Sequence, residues 1–213
     1  MLLFQLHEII KCVELLENII MYQIAFEFFG KSIHWYGVCI ALGFLAATGI
    51  MMWKKKHADM TSDAVFDCAM YALISGLLGA RIFYVVQFWE QDFAGKSFWK
   101  VFRVDQGGLV FYGGFILAIL VVMLYARLKK YSILKILDIT SPAIAIGHAF
   151  GRIGCFMQGC CFGRPVGHSG VPGVCFPADS APARRYPSFT SEGSSALYPV
   201  QLYESLANLL LCV

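Results

Sequence analysis

Four apolar runs decide what this chain can become. His34–Trp53, Ala64–Phe88, Leu109–Leu128 and Ser132–Phe156 each carry few charges and reach the length of about 20 residues that crosses a bilayer core as a helix. A fifth run opens near Pro199 and is still apolar at Val213. A run that stops inside its own hydrophobic stretch is expected of a shortened sequence. With 58% hydrophobic and 15% charged residues, a water-soluble globule is excluded. The expected fold is all-α: a polytopic integral membrane protein with four full transmembrane helices and the start of a fifth. Residues 1–22 lack the basic start and small-residue cleavage site of a signal peptide. Their helical apolar spacing predicts an amphipathic segment preceding a membrane domain at 23–213. A net charge of +3 gives no reason to expect a nucleic-acid partner.

Charge sets the orientation. Lys54, Lys55 and Lys56 follow the first run, and Arg127, Lys129, Lys130 and Lys135 surround the turn between the third and fourth. The loop at 89–106 is longer and mixed in sign. Positive residues in short loops stay in the cytoplasm, so the N-terminus is expected outside. The large Gly-, Pro- and Ser-containing loop at 164–197, between spans four and five, is then also outside.

On that topology nearly all the polar residues of the spans fall at one depth. Tyr36, Arg81, Tyr112, Gly113, Gly114, His148, Arg152, Gln201, Tyr203 and Glu204 lie toward the outer leaflet; Asp67 and Asp138 lie near inner ends and read as interface residues. A charge at the centre of a bilayer costs about 2.5–3.5 kcal/mol, so such a layer is a functional-site hypothesis. Arginine in an apolar setting calls for an anion, and its fork fits phosphate. Against this, Arg81 could serve as an interface anchor or as partner to Glu204. Gly113 and Gly114 could give a headgroup access to the backbone or simply let helices approach. His148 and Arg152 are four apart and share a helix face. The histidine could take a proton from a nucleophile, or bond a neighbouring helix. The tyrosines also suit an interfacial belt.

The stretch GRIGCFMQGCCFGRP (151–165) gathers three of the eight cysteines. The spacing Cys155-x4-Cys160-Cys161 lacks the paired knuckles of a structural zinc site, so no metal is expected. Packing, or a disulfide from Cys160 or Cys161 to Cys175, is the leading reading. A redox or nucleophilic thiol is the alternative.

Five motifs, in order, resemble one known family, the bacterial prolipoprotein diacylglyceryl transferases. They are IHWYG (33–37), LGARIFYV (78–85), FRVDQGGLVFYGG (102–114), GRIGCFMQGCCFGRP and YPVQLYE (198–204). The fourth is similar to the family's G-R-x-G-N-F-x-N-G-E-x-x-G, the last to H-P-x-Q-L-Y-E. The resemblance covers residues 23–213 and lacks the family's last two spans, which hold a second arginine the family uses. It implies an enzyme of the bacterial inner membrane, without cofactor, acting at the outer leaflet. Such an enzyme transfers diacylglycerol from phosphatidylglycerol to the lipobox cysteine thiol of a prolipoprotein and releases glycerol phosphate. It implies that Arg152 contacts the headgroup, and it maps Gly113, Gly114, Gln201, Tyr203 and Glu204 onto family site positions.

The sequence departs where chemistry matters. Tyr112 stands in place of the family's proposed base, a histidine, and Tyr198 in place of another. Cys155, Gln158 and Cys160 replace two asparagines and a glutamate. Tyrosine, with an unperturbed pKa of about 10, is a poor base near neutral pH, so His148 is expected to share that task with Tyr112 beside Arg152. The competing classes are a thiol-based redox or metal-handling protein and a non-catalytic lipid binder.

Overall fold

A computed structural model describes residues 23–28, 30–96, 98–103, 107–165, 173, 174, 176, 185 and 197–212. The proposed amphipathic segment at 1–22 and Cys175 lie outside the described residues. An antiparallel hairpin, β1 (Ile24–Phe28) and β2 (Lys31–His34), comes first, with Gly30 at φ 72° in the turn. This hairpin is a short addition to the all-α fold, pairing the residues before Trp35 as strands. Helices follow: α1 (Trp35–Lys54), α2 (Ser62–Gln87), α3 (Phe111–Leu128), α4 (Ile133–Gln158) and α5 (Val200–Cys212).

The helix ends follow local chemistry. Thr61 is extended and its hydroxyl accepts from Ala64 N at 3.2 Å, capping α2. A short turn at Lys55–Ala58 and left-handed Asp59 (φ 51°) reverse the chain before it. Lys130 (φ 60°) does the same between α3 and α4, where Tyr131 N reaches Ala126 O at 2.9 Å. The loop expected at 89–106 is partly helical: Trp89–Phe93 forms one wide turn, closed by Ala94 N on Trp89 O at 2.8 Å, and Phe98–Phe102 a tight one.

Four of these helices are long and apolar enough to cross a membrane. Leu45, Trp53, Val86, Leu128 and Leu210 are exposed, as side chains facing lipid would be. The chain is a polytopic helical membrane protein.

It divides into two compact units, Met1–Ala47 with Ser141–Val213, and Thr48–Thr140. In the second unit α2 and α3 meet through glycines. A Cβ on Gly79 would lie 2.5 Å from Gly113 O, and one on Gly114 would lie 2.6 Å from Gly76 O. Without a hydrophobic drive between helices in lipid, such close backbone approach supplies the packing. Asp67, read as an interface residue, accepts from Tyr125 Oη at 2.8 Å between these helices. In the first unit α1 and α4 meet the same way: a Cβ on Gly43 would press on Phe150 Cβ at 2.9 Å, and one on Gly154 on Cys39 Cβ at 3.1 Å.

Candidate functional site

The expected site residues fall into two groups, one in each unit. In the first unit, α4 carries His148 and Arg152 toward its C-terminal end, and α5 opens with Gln201, Tyr203 and Glu204. A small clasp ties these helix ends together. Gly163 N donates to Tyr198 O at 3.1 Å, and Tyr198 N to Arg164 O at 3.0 Å. Val174 and Leu197 exchange both backbone bonds at 2.9 Å. Buried Phe156, Phe176 and Leu197 form its core, with Met157, Phe162 and Val174 against them. Gly163 is required here, since a Cβ would meet Tyr198 O at 2.6 Å.

The clasp brings Arg152 to Glu204. Nε lies 2.6 Å from Oε2, with the arginine side chain 15% exposed and the glutamate 44%. The approach is charge to charge: Nε is buried and has no aligned hydrogen-bond acceptor among the described residues. Gln201 is wholly buried, and its Nε2 donates to Cys160 O at 2.7 Å. Its Oε1 is buried without a partner among the described residues. Tyr36 lies against Gly154, where a Cβ would be 3.2 Å from Tyr36 Cδ2. His148 and Tyr203 are exposed. His148 and Arg152 are both near enough to Cys155 to act on it electrostatically.

Cys155, Cys160 and Cys161 converge, their sulfurs all within 4.8 Å of one another. All three are free thiols. A hydrogen bond with Cys155 holds the Cys160 thiol well above the ordinary thiol range, and desolvation adds to the effect. Sequence spacing alone does not reveal this convergence. The only signal is Gly159 before the cysteine pair, which permits the sharp turn.

In the second unit Arg81 is buried, 9% exposed. Nε donates to Val101 O at 2.7 Å, Nη1 to Gly107 O and Gly108 O at 3.0 Å each, and Nη2 to Lys100 O at 2.8 Å. The guanidinium also lies 5.5 Å from the ring centres of Tyr84 and Phe93. Four of its five N–H groups therefore hold the loop leading to α3. Glu204, the partner considered for it from sequence, is committed to Arg152 within the other unit. A cavity of about 160 Å³ sits beside Arg81, walled by Asp92, Lys100 and Arg103 among others. Desolvation, then the neighbouring Lys96, pulls the Lys100 ammonium below the usual lysine range.

Tyr112 is 72% exposed in the first turn of α3, edge-on to Phe111. The space beside Gly113 and Gly114 is filled by Phe83, Gly76 and Ala80. On that face both glycines let α2 and α3 approach closely.

Four apolar spans, with an arginine–glutamate pair at the junction of α4 and α5, define a membrane protein with a charged site built on its helix ends. The chain belongs to the prolipoprotein diacylglyceryl transferase family, whose model matches residues 23–213. It is 36% identical over 155 residues to the phosphatidylglycerol–prolipoprotein diacylglyceryl transferase of Rhodopirellula baltica, covering 71% of this chain and 31% of that protein. The Clostridium tetani enzyme of the same name is 34% identical over 194 residues, 90% of this chain and 71% of the relative. Transferase 2 of Clostridium perfringens is 33% identical over 180 residues, 84% and 65% of the two chains. The chain thus spans only part of each relative's length.

Proposed function

We propose that this protein transfers the diacylglyceryl group of phosphatidylglycerol to the lipobox cysteine thiol of a prolipoprotein. The sulfur forms a bond to the glyceryl carbon as the carbon–oxygen bond to phosphate breaks. The phosphate oxygen keeps the electron pair and leaves as glycerol phosphate, and the thiol proton passes to a base. One observation carries the reading: within a family match spanning 23–213, the signature arginine Arg152 is aimed by Glu204. A guanidinium held in a partly dry site stabilises the charge growing on a departing phosphate.

Arg152, Tyr36, Tyr203 and Glu204 then form the substrate side, Gln201 braces the Cys160 carbonyl, and Arg81, Gly113 and Gly114 act by positioning α3 and its loop. His148, one turn before Arg152, accepts the thiol proton. Exposed Tyr112 contributes at the other unit. A bacterial cytoplasmic membrane location is part of the same reading, and the lysine-rich short loops support a site toward the outer leaflet.

The test is to incubate the protein in phosphatidylglycerol vesicles with a lipobox peptide and weigh the peptide. A diacylglyceryl adduct on the cysteine is expected. A folded protein, extended to the length of its relatives, that yields no adduct would overturn the proposal. Full activity of His148→Ala across pH 6–8 would remove the histidine from it.

A further inference from the structure

The transferase reading leaves three thiols without a task. Cys155 sits in the last turn of α4, and the chain then doubles back on itself. Gly159 at φ 68° and Cys161 at φ 58° are both left-handed, a conformation that a residue with a Cβ avoids. Cys160 N donates to Cys155 O at 3.0 Å, and buried Gln201 pins the Cys160 carbonyl from α5 at 2.7 Å. Of the two only Cys161 pays for that conformation, and the bonds to both sides of Cys160 hold the turn beside it. Its product is three sulfurs within 4.8 Å of one another, with Cys161 exposed as an entry point.

We propose that Cys155, Cys160 and Cys161 form a three-coordinate site for a thiophilic d10 cation, with monovalent copper the best fit. Sulfur is the only donor type in the cluster, and soft thiolates select soft metals over magnesium or calcium. Zinc favours a fourth ligand, and no fourth His, Cys, Asp or Glu joins the group among the described residues. Each thiol that ligates releases its proton to solvent as the sulfur–metal bond forms, and no oxidation state changes.

The purified protein in detergent, reduced and anaerobic, is titrated with copper(I) against a competing chelator, with zinc and magnesium as parallel arms. One copper(I) per chain is expected, with only sulfur in its first shell by X-ray absorption. Cys161→Ser should weaken binding at least tenfold and the triple serine variant at least a hundredfold, whereas Cys212→Ser should leave it unchanged. Circular dichroism confirms that each variant is folded. The proposal fails if wild-type protein binds no stoichiometric copper(I), if zinc binds as tightly, or if the triple variant binds like wild type. It also fails if mass spectrometry of freshly reduced, anaerobic protein finds two of the three sulfurs joined.

Discussion

Arg152 Nε lies 2.6 Å from Glu204 Oε2, joining the end of α4 to the start of α5 across 51 intervening residues. With Glu204 nearly half exposed, the pair contributes at most about 1 kcal/mol to stability. In the proposed reaction its use is to aim the guanidinium. Arg152→Ala should lower kcat/KM for lipid transfer by roughly 10²–10³, the loss seen when one donor to a developing oxyanion is removed, with little change in melting. Glu204→Gln should cause a smaller loss, about tenfold. The double variant should be no worse than Arg152→Ala alone, because the glutamate acts through the arginine. Additive losses in that cycle would mean that Glu204 has a separate role.

Arg81 makes the opposite use of the same side chain. Its four bonds to the carbonyls of Lys100, Val101, Gly107 and Gly108 organise the approach to α3. Lysine keeps the charge but not the planar fork. Losing two such bonds, at about 1.5 kcal/mol each, should speed amide exchange in residues 98–103 and 107–110 roughly a hundredfold in Arg81→Lys. Unchanged exchange there, with a raised KM for phosphatidylglycerol, would mean that Arg81 binds lipid instead.

The contrast between the two arginines shows where sequence reading reaches. Apolar runs and lysine-rich turns announce the spans, because a bilayer imposes length and polarity on any helix that crosses it. The proposed role of Arg152 is read from its motif. That of Arg81 is not, since its partners are main-chain carbonyls that exist as a cluster only once the loop has folded. The thiol cluster is hidden for a similar reason: it depends on two left-handed residues, Gly159 and Cys161, rather than on a recognised spacing. The hairpin before α1 escapes because its strands are short and border a much stronger helical signal.

Helix approach gives a sharper test of the α2–α3 packing. A Cβ on Gly79 would lie 2.5 Å from Gly113 O and one on Gly114 2.6 Å from Gly76 O, whereas one on Gly76 would have nothing closer than 3.9 Å. The obstructing oxygens are backbone and cannot rotate away. Gly79→Ala and Gly114→Ala should each destabilise by about 1–3 kcal/mol, as overpacking does. Gly76→Ala, three residues from Gly79, should be tolerated, as should Gly49→Ala, whose Cβ would meet nothing within 4 Å. Thermal unfolding in detergent separates the two classes. Equal effects at all four positions would point to helix propensity instead of contact.

Gln201 decides between substrate contact and scaffold. It is wholly buried, gives Nε2 to the Cys160 carbonyl at 2.7 Å, and keeps a buried Oε1 without a partner among the described residues. Gln201→Leu removes the donor and the orphaned acceptor together, so the net loss should be only about 1–2 kcal/mol, most of it from the carbonyl left unpaired. Gln201→Ala adds a cavity and should lose about 1–2 kcal/mol more. In both variants the turn at Gly159–Cys161 loses its outer anchor. Maleimide labelling of the Cys160 and Cys161 thiols should therefore quicken in step with the fall in unfolding temperature. A Gln201→Leu protein with raised KM but unchanged melting and thiol labelling would show that the amide faces substrate. In that case the unpartnered Oε1 would be the atom that meets it.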